Sequence, residues 1–185
     1  MNAVQQTMPS LTPPLTLVAA HARRPTAVER AAEVKATLGD EWLPRLYSTR
    51  ILPLRTRSHH LEIAERENTV EVQHTLLGVE LKTGRRRLLC PDFSTARYLS
   101  AFARIGCQNV AVPYDITQIS RLADELESSW QRMLLLINQA ADERTASFRA
   151  RLRALLVKSV RDEIKQAGAG AAVPQFNQNT KQRRP

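Results

Sequence analysis

A glutamate and a lysine two residues apart, Glu80 and Lys82, are the first side chains whose types and spacing suggest chemistry. They lie in a segment with the composition of a strand, where residues two apart project from the same face. On such a face a carboxylate binds Mg²⁺, and the neighbouring ammonium group stabilises an attacking water or the charge that develops on a phosphate. The pair therefore favours metal-dependent hydrolysis of a phosphodiester.

The segment 79–84, which reads Val-Glu-Leu-Lys-Thr-Gly, resembles the third motif of the PD-(D/E)xK (restriction-endonuclease-like) nuclease superfamily. The order helix, strands, helix, strand over residues 27–115 is also similar to the core of that superfamily. The resemblance implies a DNA nuclease in which Glu80, Lys82 and Glu71 are catalytic and in which Glu71 and Glu80 hold Mg²⁺. The family has its second acid in a Pro-Asp context before this motif, whereas Pro91-Asp92 of this chain follows it.

The same residues also fit an interpretation without catalysis. Glu80 and Lys82 would then lie on the exposed face of a half-buried strand, opposite arginines of the next strand. On that interpretation no cofactor is needed. Both interpretations stay open at the level of the sequence.

The chain is strongly basic, with 27 Lys and Arg against 18 Asp and Glu and a net charge of +9. The surplus is uneven, since residues 61–130 hold 8 cations and 10 acids, whereas residues 131–185 hold 11 cations and 4 acids. Most of the cations are arginines, whose planar guanidinium group suits phosphate oxygens. This composition favours a nucleic acid as the partner, and the alternative is a basic surface that serves solubility alone.

We expect the contacts with nucleic acid at two places: the tip of a predicted hairpin and one side of the last predicted helix. At the hairpin tip, the alternative is a solvated end with glutamate partners. On the helix, the alternative is a basic face that keeps a coiled coil soluble. The six candidates are Arg85, Arg86, Arg87, Arg149, Arg153 and Arg161.

Caps and turns divide the chain into a helix, several strands, a helix, a strand and a long helical region. This order predicts an α+β fold: a small sheet with a β-hairpin and packed helices, followed by a long C-terminal helix or helical hairpin. Thr26 and Glu29 predict a capping box for the first helix. Thr83-Gly84 predicts the hairpin turn between strands at 76–82 and 85–90, and residues 51–54 predict an edge strand.

The last helical region has the clearest periodicity in the sequence. Between Thr117 and Ala167 there is neither Gly nor Pro, and one helix of that span would be roughly 75 Å long. The chain therefore folds back near residues 140–145, or the helix pairs with another chain. We expect a helical hairpin or a homo-oligomer, the alternative being that the apolar seam packs on the chain's own sheet. The seam consists of Ile116, Ile119, Ala123, Leu126, Trp130, Met133 and Ile137.

Four regions follow from these patterns: a flexible segment 1–25, an α+β core 26–140, a basic helix 141–167 and a disordered basic tail 168–185. No run approaches 18 apolar residues, so no membrane span is expected. The 2 cysteines suit buried positions in a reducing compartment, which favours the cytoplasm. The sequence thus predicts a nucleic-acid-binding or interaction protein, with a Mg²⁺-dependent nuclease and a non-catalytic scaffold as alternatives.

Overall fold

The computed structural model describes residues 24–141 and 145–170. Its first helix, α1 (Ala27–Leu38), begins at the predicted capping box, in which the side chain of Thr26 accepts from the Glu29 N–H and that of Glu29 accepts from the Thr26 N–H. The helix ends at Gly39, which has a positive φ of 50° that is incompatible with a continuing α-helix. The predicted flexible segment falls almost entirely on residues 1–23, which lie outside the described part.

Helical turns continue further than the sequence predicts. A 3₁₀ turn (Gly39–Glu41) and the short helix α2 (Leu43–Leu46) lead into a π-helical turn (Tyr47–Ile51), after which the chain turns through residues 52–54. The edge strand predicted at 51–54 is therefore wrong. The segment is helical because Tyr47 and Ile51, four residues apart, lie on the same side of a helical turn. Both side chains are buried in the core.

Within residues 24–141 and 145–170, five strands form two antiparallel sheets rather than one. β1 (Thr56–His60) pairs with β5 (Asn109–Pro113), which is the short buried strand that the sequence predicts. β2 (Val70–Thr75), β3 (Gly78–Thr83) and β4 (Arg86–Cys90) form the second sheet in that order. The predicted β-hairpin is β3–β4, with Gly84 in its turn at a φ of 61°.

A second tight turn joins β2 to β3. Thr75 pairs with Gly78, so Leu76 and Leu77 form a two-residue turn instead of the start of a strand. Their apolar character predicts a strand, but the register of the sheet places both side chains in solvent.

Helix α3 (Phe93–Ile105) covers the inner face of the three-stranded sheet. Asp92 caps its first turn, and Gly106 ends it in the left-handed conformation with a φ of 88°. Its buried tyrosine, Tyr98, donates a hydrogen bond of 2.6 Å to the Ala111 carbonyl on β5. The helix thereby connects the two sheets.

Helices α4 (Ile116–Ala140) and α5 (Ala146–Ala167) form the predicted helical hairpin. Six of the seven seam residues on α4 are buried within the chain, and only Ile116 is exposed. The expectation of a homo-oligomer through the Ile116–Ile137 seam is therefore wrong, because the chain's own helices cover it. The helices that pack on the seam are distant in sequence, so its periodicity alone does not identify them.

The C-terminal helix belongs to the same core as the rest of the chain. Leu152, Leu156, Val160 and Ile164 are all buried in it. The chain stays packed beyond the helix: the Gly168 carbonyl accepts a hydrogen bond of 2.7 Å from the Tyr47 hydroxyl. Of the predicted disordered tail, residues 171–185 lie outside the described part.

Candidate nucleic-acid interface

The predicted catalytic residues lie together on the outer face of the three-stranded sheet. Alternation along the strands places Glu71, Glu80 and Lys82 there, on the face opposite α3. Glu71 stands directly across from Lys82, and Gln73 stands directly across from Glu80. The two carboxylates are therefore diagonal neighbours on one face, and a basic side chain lies beside each of them.

These carboxylates are engaged by cations of the chain itself. Lys82 Nζ lies 3.1 Å from Glu71 Oε2, and Arg87 Nη1 lies 3.4 Å from Glu80 Oε2. Glu80 is nearly covered, with 11% of its side chain exposed. The described residues contain no group of three acids, histidines or cysteines that could hold a metal ion.

Each of these two carboxylates is bound to a cation of the chain itself, so the geometry adds no support for a Mg²⁺ site. The structure agrees only in part with the alternative that the sequence left open, an exposed face opposite arginines: Lys82 stands opposite Arg87, whereas Glu80 is buried and stands opposite Leu89. The nuclease interpretation of Glu71, Glu80 and Lys82 gains no support from this geometry and stays a prediction.

The other acids of the described residues also have partners within the chain. Thirteen ion pairs use thirteen different carboxylates. The remaining described acids, Glu29, Asp92 and Asp115, accept hydrogen bonds at the N-termini of helices. Each described acid thus already has a cation or a helix terminus, and the surplus of positive charge is left to particular arginines.

Most of the predicted nucleic-acid-binding residues turn out to be engaged within the chain. Arg86 pairs with Glu62, Arg87 with Glu80, and Arg153 with Glu67. Arg161 donates to the Ile105 carbonyl at 3.3 Å, at the C-terminal end of α3. Of the six predicted residues, only Arg85 and Arg149 are exposed and take part in none of the ion pairs of the described residues.

Nine described arginines take part in none of the thirteen ion pairs, whereas every described lysine does. Ion pairing therefore separates the basic residues into those paired with an acid and those whose charge has no acid partner among the described residues. The unpaired set is Arg24, Arg50, Arg55, Arg57, Arg66, Arg85, Arg149, Arg151 and Arg161.

Two of these arginines lie against an exposed aromatic ring at the end of the β1–β5 sheet. The guanidinium carbons of Arg55 and Arg57 are 5.2 and 5.9 Å from the ring centre of Tyr114. Both arginines are exposed, and Tyr114 is 51% exposed. We call these three residues the arginine–tyrosine cluster.

The backbone holds the arginine–tyrosine cluster in place. The Tyr114 N–H donates to the Arg55 carbonyl at 3.2 Å and extends the β1–β5 pairing by one step. The next residue, Asp115, turns its carboxylate to α4, where it accepts from the Thr117 N–H at 2.9 Å and the Thr117 hydroxyl at 2.7 Å. These hydrogen bonds lower the pKa of Asp115, and they show that its carboxylate caps the N-terminus of α4.

A histidine on the same face of β1 adds no charge to the arginine–tyrosine cluster. His59 projects from the face that carries Arg57. Its pKa is lowered below 6.5, first by burial and then by the positive charge of Arg57, so the ring is neutral at neutral pH. The charge of the arginine–tyrosine cluster therefore comes from its two guanidinium groups.

Sequence reasoning missed this cluster because it placed the first strand at 51–54. With the strand at Thr56–His60, the available signal is an Arg-x-Arg spacing at its start, which puts two cations on one face. The contact with Tyr114 has no local signal, since β5 lies about fifty residues further along the chain.

None of the helices in the described residues combines the length and the apolar content that crossing a membrane requires. Comparisons of the chain with models of protein families, with curated proteins and with solved structures find no match.

Proposed function

We propose that the protein binds nucleic acid and that the arginine–tyrosine cluster is its contact surface. The observation that carries this proposal is the pair of unpaired guanidinium groups within 6 Å of one exposed ring. Each described acid is already engaged elsewhere, so an external anion is the natural counter-charge for Arg55 and Arg57. No enzymatic step is part of the proposal.

The chemistry of the arginine–tyrosine cluster suits a phosphate backbone with accessible bases. Two neighbouring guanidinium groups repel each other, and a phosphate between them removes that repulsion while accepting forked hydrogen bonds. An exposed tyrosine ring stacks on an unpaired base, which contributes about 1–3 kcal/mol per base in single-strand binding proteins. The combination favours single-stranded nucleic acid over a duplex, whose bases are already stacked.

The sequence beyond residue 170 contains Lys181, Arg183 and Arg184, which add to the positive charge of the molecule.

A comparison of two double variants with the same net charge tests the proposal. Arg55→Gln/Arg57→Gln removes two unpaired cations, and Arg45→Gln/Arg86→Gln removes two exposed cations from ion pairs with Asp40 and Glu62. Affinity for a labelled single strand of about 20 nucleotides is measured by fluorescence anisotropy at low salt. We expect about a tenfold loss for the first variant and less than a twofold change for the second.

Two outcomes contradict the proposal. If the wild-type protein does not bind the strand at low salt, nucleic-acid binding itself is wrong. If both variants lose affinity equally, the overall charge is responsible and the arginine–tyrosine cluster is not the contact surface.

The contribution of the ring is tested separately. Tyr114→Ala removes the stacking surface, whereas Tyr114→Phe keeps it. We expect Tyr114→Ala to weaken binding to a single strand about tenfold and to a duplex far less, and Tyr114→Phe to bind like the wild type. Equal losses with single strand and duplex would mean that the ring does not stack on bases.

A further inference from the structure

A cavity of about 500 Å³ lies where the end of β1 meets the three-stranded sheet. Its volume is within the range of about 300–1,000 Å³ that is typical of sites for small organic groups. The segment that follows β1 and the strands β3 and β4 all contribute apolar side chains to it, so a ring placed between these elements would contact apolar groups on both of its faces. These side chains are Leu61, Ile63, Leu81 and Leu88.

The charged side chains that line the cavity are already paired. Arg86 lines it and pairs with Glu62, which lines it too. Arg87, the other cation of the lining, pairs with Glu80 on the outer face of the sheet. Because each of these charges has a partner, the cavity favours an uncharged group over a phosphate or a carboxylate.

Two polar side chains of the lining can bind the edge of such a group. The Nδ1 atom of His60 lies 2.8 Å from the Asn109 Oδ1 atom. Because an amide oxygen accepts, Nδ1 carries the proton of the neutral ring, and Nε2 is left as an acceptor. The Thr83 hydroxyl can both donate and accept. Apolar faces and a hydrogen-bonding edge are the properties by which proteins hold an unstacked nucleobase.

The cavity lies on the same strand as the arginine–tyrosine cluster. The Leu61 N–H donates to the Gln108 carbonyl and continues the β1–β5 pairing one step past His60. Arg57 and Leu61 therefore lie on one face of β1, about 13 Å apart along the strand. A single strand spans this distance with about four nucleotides or fewer, because even in a stacked strand the rise per nucleotide is about 3.4 Å.

We infer that this cavity binds one base of the single strand whose phosphates contact Arg55 and Arg57. The inference rests on the proposed function, because the strand held at the arginine–tyrosine cluster is what brings a base to the cavity. Holding the strand at one end of β1 raises the effective concentration of its other bases at the other end, and a free molecule has no such advantage. The ligand is thus a single strand of at least about five nucleotides with unpaired bases.

A series of strands that each lack one base tests this inference. Affinity for a strand of about six nucleotides is measured by fluorescence anisotropy at low salt, with the base removed at one position at a time. We expect two positions, within about four nucleotides of each other, at which removal of the base weakens binding about tenfold. One is the base on Tyr114, and the other is the base in the cavity.

Variants assign the two positions. In Ile63→Ala, which removes part of the cavity wall, removal of the cavity base should weaken binding by less than about threefold, because the base and the wall act together. Thr83→Val keeps the shape of its side chain and should reduce the effect at the same position. Tyr114→Ala should reduce the effect at the other position only.

Leu136→Ala is the matched control, since Leu136 is also a partly buried apolar residue that packs on the core, and it lies on α4. We expect it to show both positions like the wild type. No binding by the wild type would contradict the proposed function itself. Binding in which only the base on Tyr114 matters would overturn the inference alone, and so would equal effects of Ile63→Ala and Leu136→Ala.

Discussion

The hydroxyl of Tyr47 accepts a hydrogen bond from the Ala111 N–H at 2.9 Å and so completes the outer edge of β5 without a third strand. The Tyr98 hydroxyl donates to the carbonyl of the same residue at 2.6 Å. Two tyrosines from separate helical segments thus satisfy the main-chain polar groups that β5 leaves unpaired at Ala111. The β1–β5 sheet, which positions Arg55 and Arg57, depends on them.

Tyr47→Phe tests this dependence. The change leaves the buried Ala111 N–H without its acceptor, and we expect the free energy of unfolding to fall by about 1–3 kcal/mol. Urea denaturation followed by circular dichroism measures it. Tyr114→Phe is the matched control, since its hydroxyl is on the surface and its removal should change stability by less than about 0.5 kcal/mol. Equal stability of the two variants would show that the hydroxyl of Tyr47 is not needed at β5.

Gly106 allows a close approach between the end of α3 and the loop that precedes β2. A Cβ atom there would lie 2.3 Å from the Arg66 carbonyl oxygen, and the φ of 88° disfavours any other residue. We expect Gly106→Ala to destabilise the protein by about 3 kcal/mol or more, measured by thermal and urea unfolding.

Gly84→Ala separates backbone strain from steric contact. Gly84 also has a positive φ, 61°, but open space surrounds the position of its Cβ atom. We expect a loss of only about 1 kcal/mol from strain. If the two alanine variants lose similar amounts of stability, the contact with Arg66 does not contribute to the effect of Gly106→Ala.

Glu163 connects the C-terminal helix to the N-terminal helical segments. Its carboxylate accepts hydrogen bonds from Lys35 at 2.7 Å, from the Trp42 indole at 2.9 Å and from Ser159 at 2.8 Å. Partial burial acts to raise its pKa, but these hydrogen bonds outweigh burial and hold the pKa below the ordinary value of 4.5. Because the folded-state pKa is lowered, the stabilisation is present above pH 4.5 and is lost as the pH falls through the folded-state value.

We therefore expect Glu163→Gln to reduce the free energy of unfolding by about 1–2 kcal/mol at neutral pH, with a smaller difference from the wild type near pH 3. Urea denaturation at both pH values measures it. Glu125→Gln removes one member of a surface pair with Arg121 and should change stability by less than about 0.5 kcal/mol at either pH. A constant effect of Glu163→Gln across this pH range would contradict the role of its charge.

Local signals in the sequence predict most element boundaries. The capping box at Thr26 marks the start of α1 correctly, because it acts on residues within one turn. The turn at Gly84 likewise identifies the β3–β4 hairpin. Leu76 and Leu77 show the limit of such signals, since only the register with β3 places them in a turn.

The candidate site depends on long-range pairing and is much less accessible from the sequence. Arg86 and Arg153 are engaged by Glu62 and Glu67, which are 24 and 86 residues away in the chain. No local pattern reports that an arginine has such a partner. Composition therefore indicates a surplus of positive charge, whereas folding determines that Arg55 and Arg57 carry part of it.

The salt dependence of binding tests the role of these two arginines most directly. The slope of the logarithm of the binding constant against the logarithm of the salt concentration is measured for the wild type and Arg55→Gln/Arg57→Gln with one single-stranded oligonucleotide. We expect a steep negative slope for the wild type, reduced in magnitude by about 1.4 in the variant, because each lost phosphate contact removes about 0.7. Identical slopes for the two proteins would contradict the assignment of Arg55 and Arg57 as the phosphate contacts.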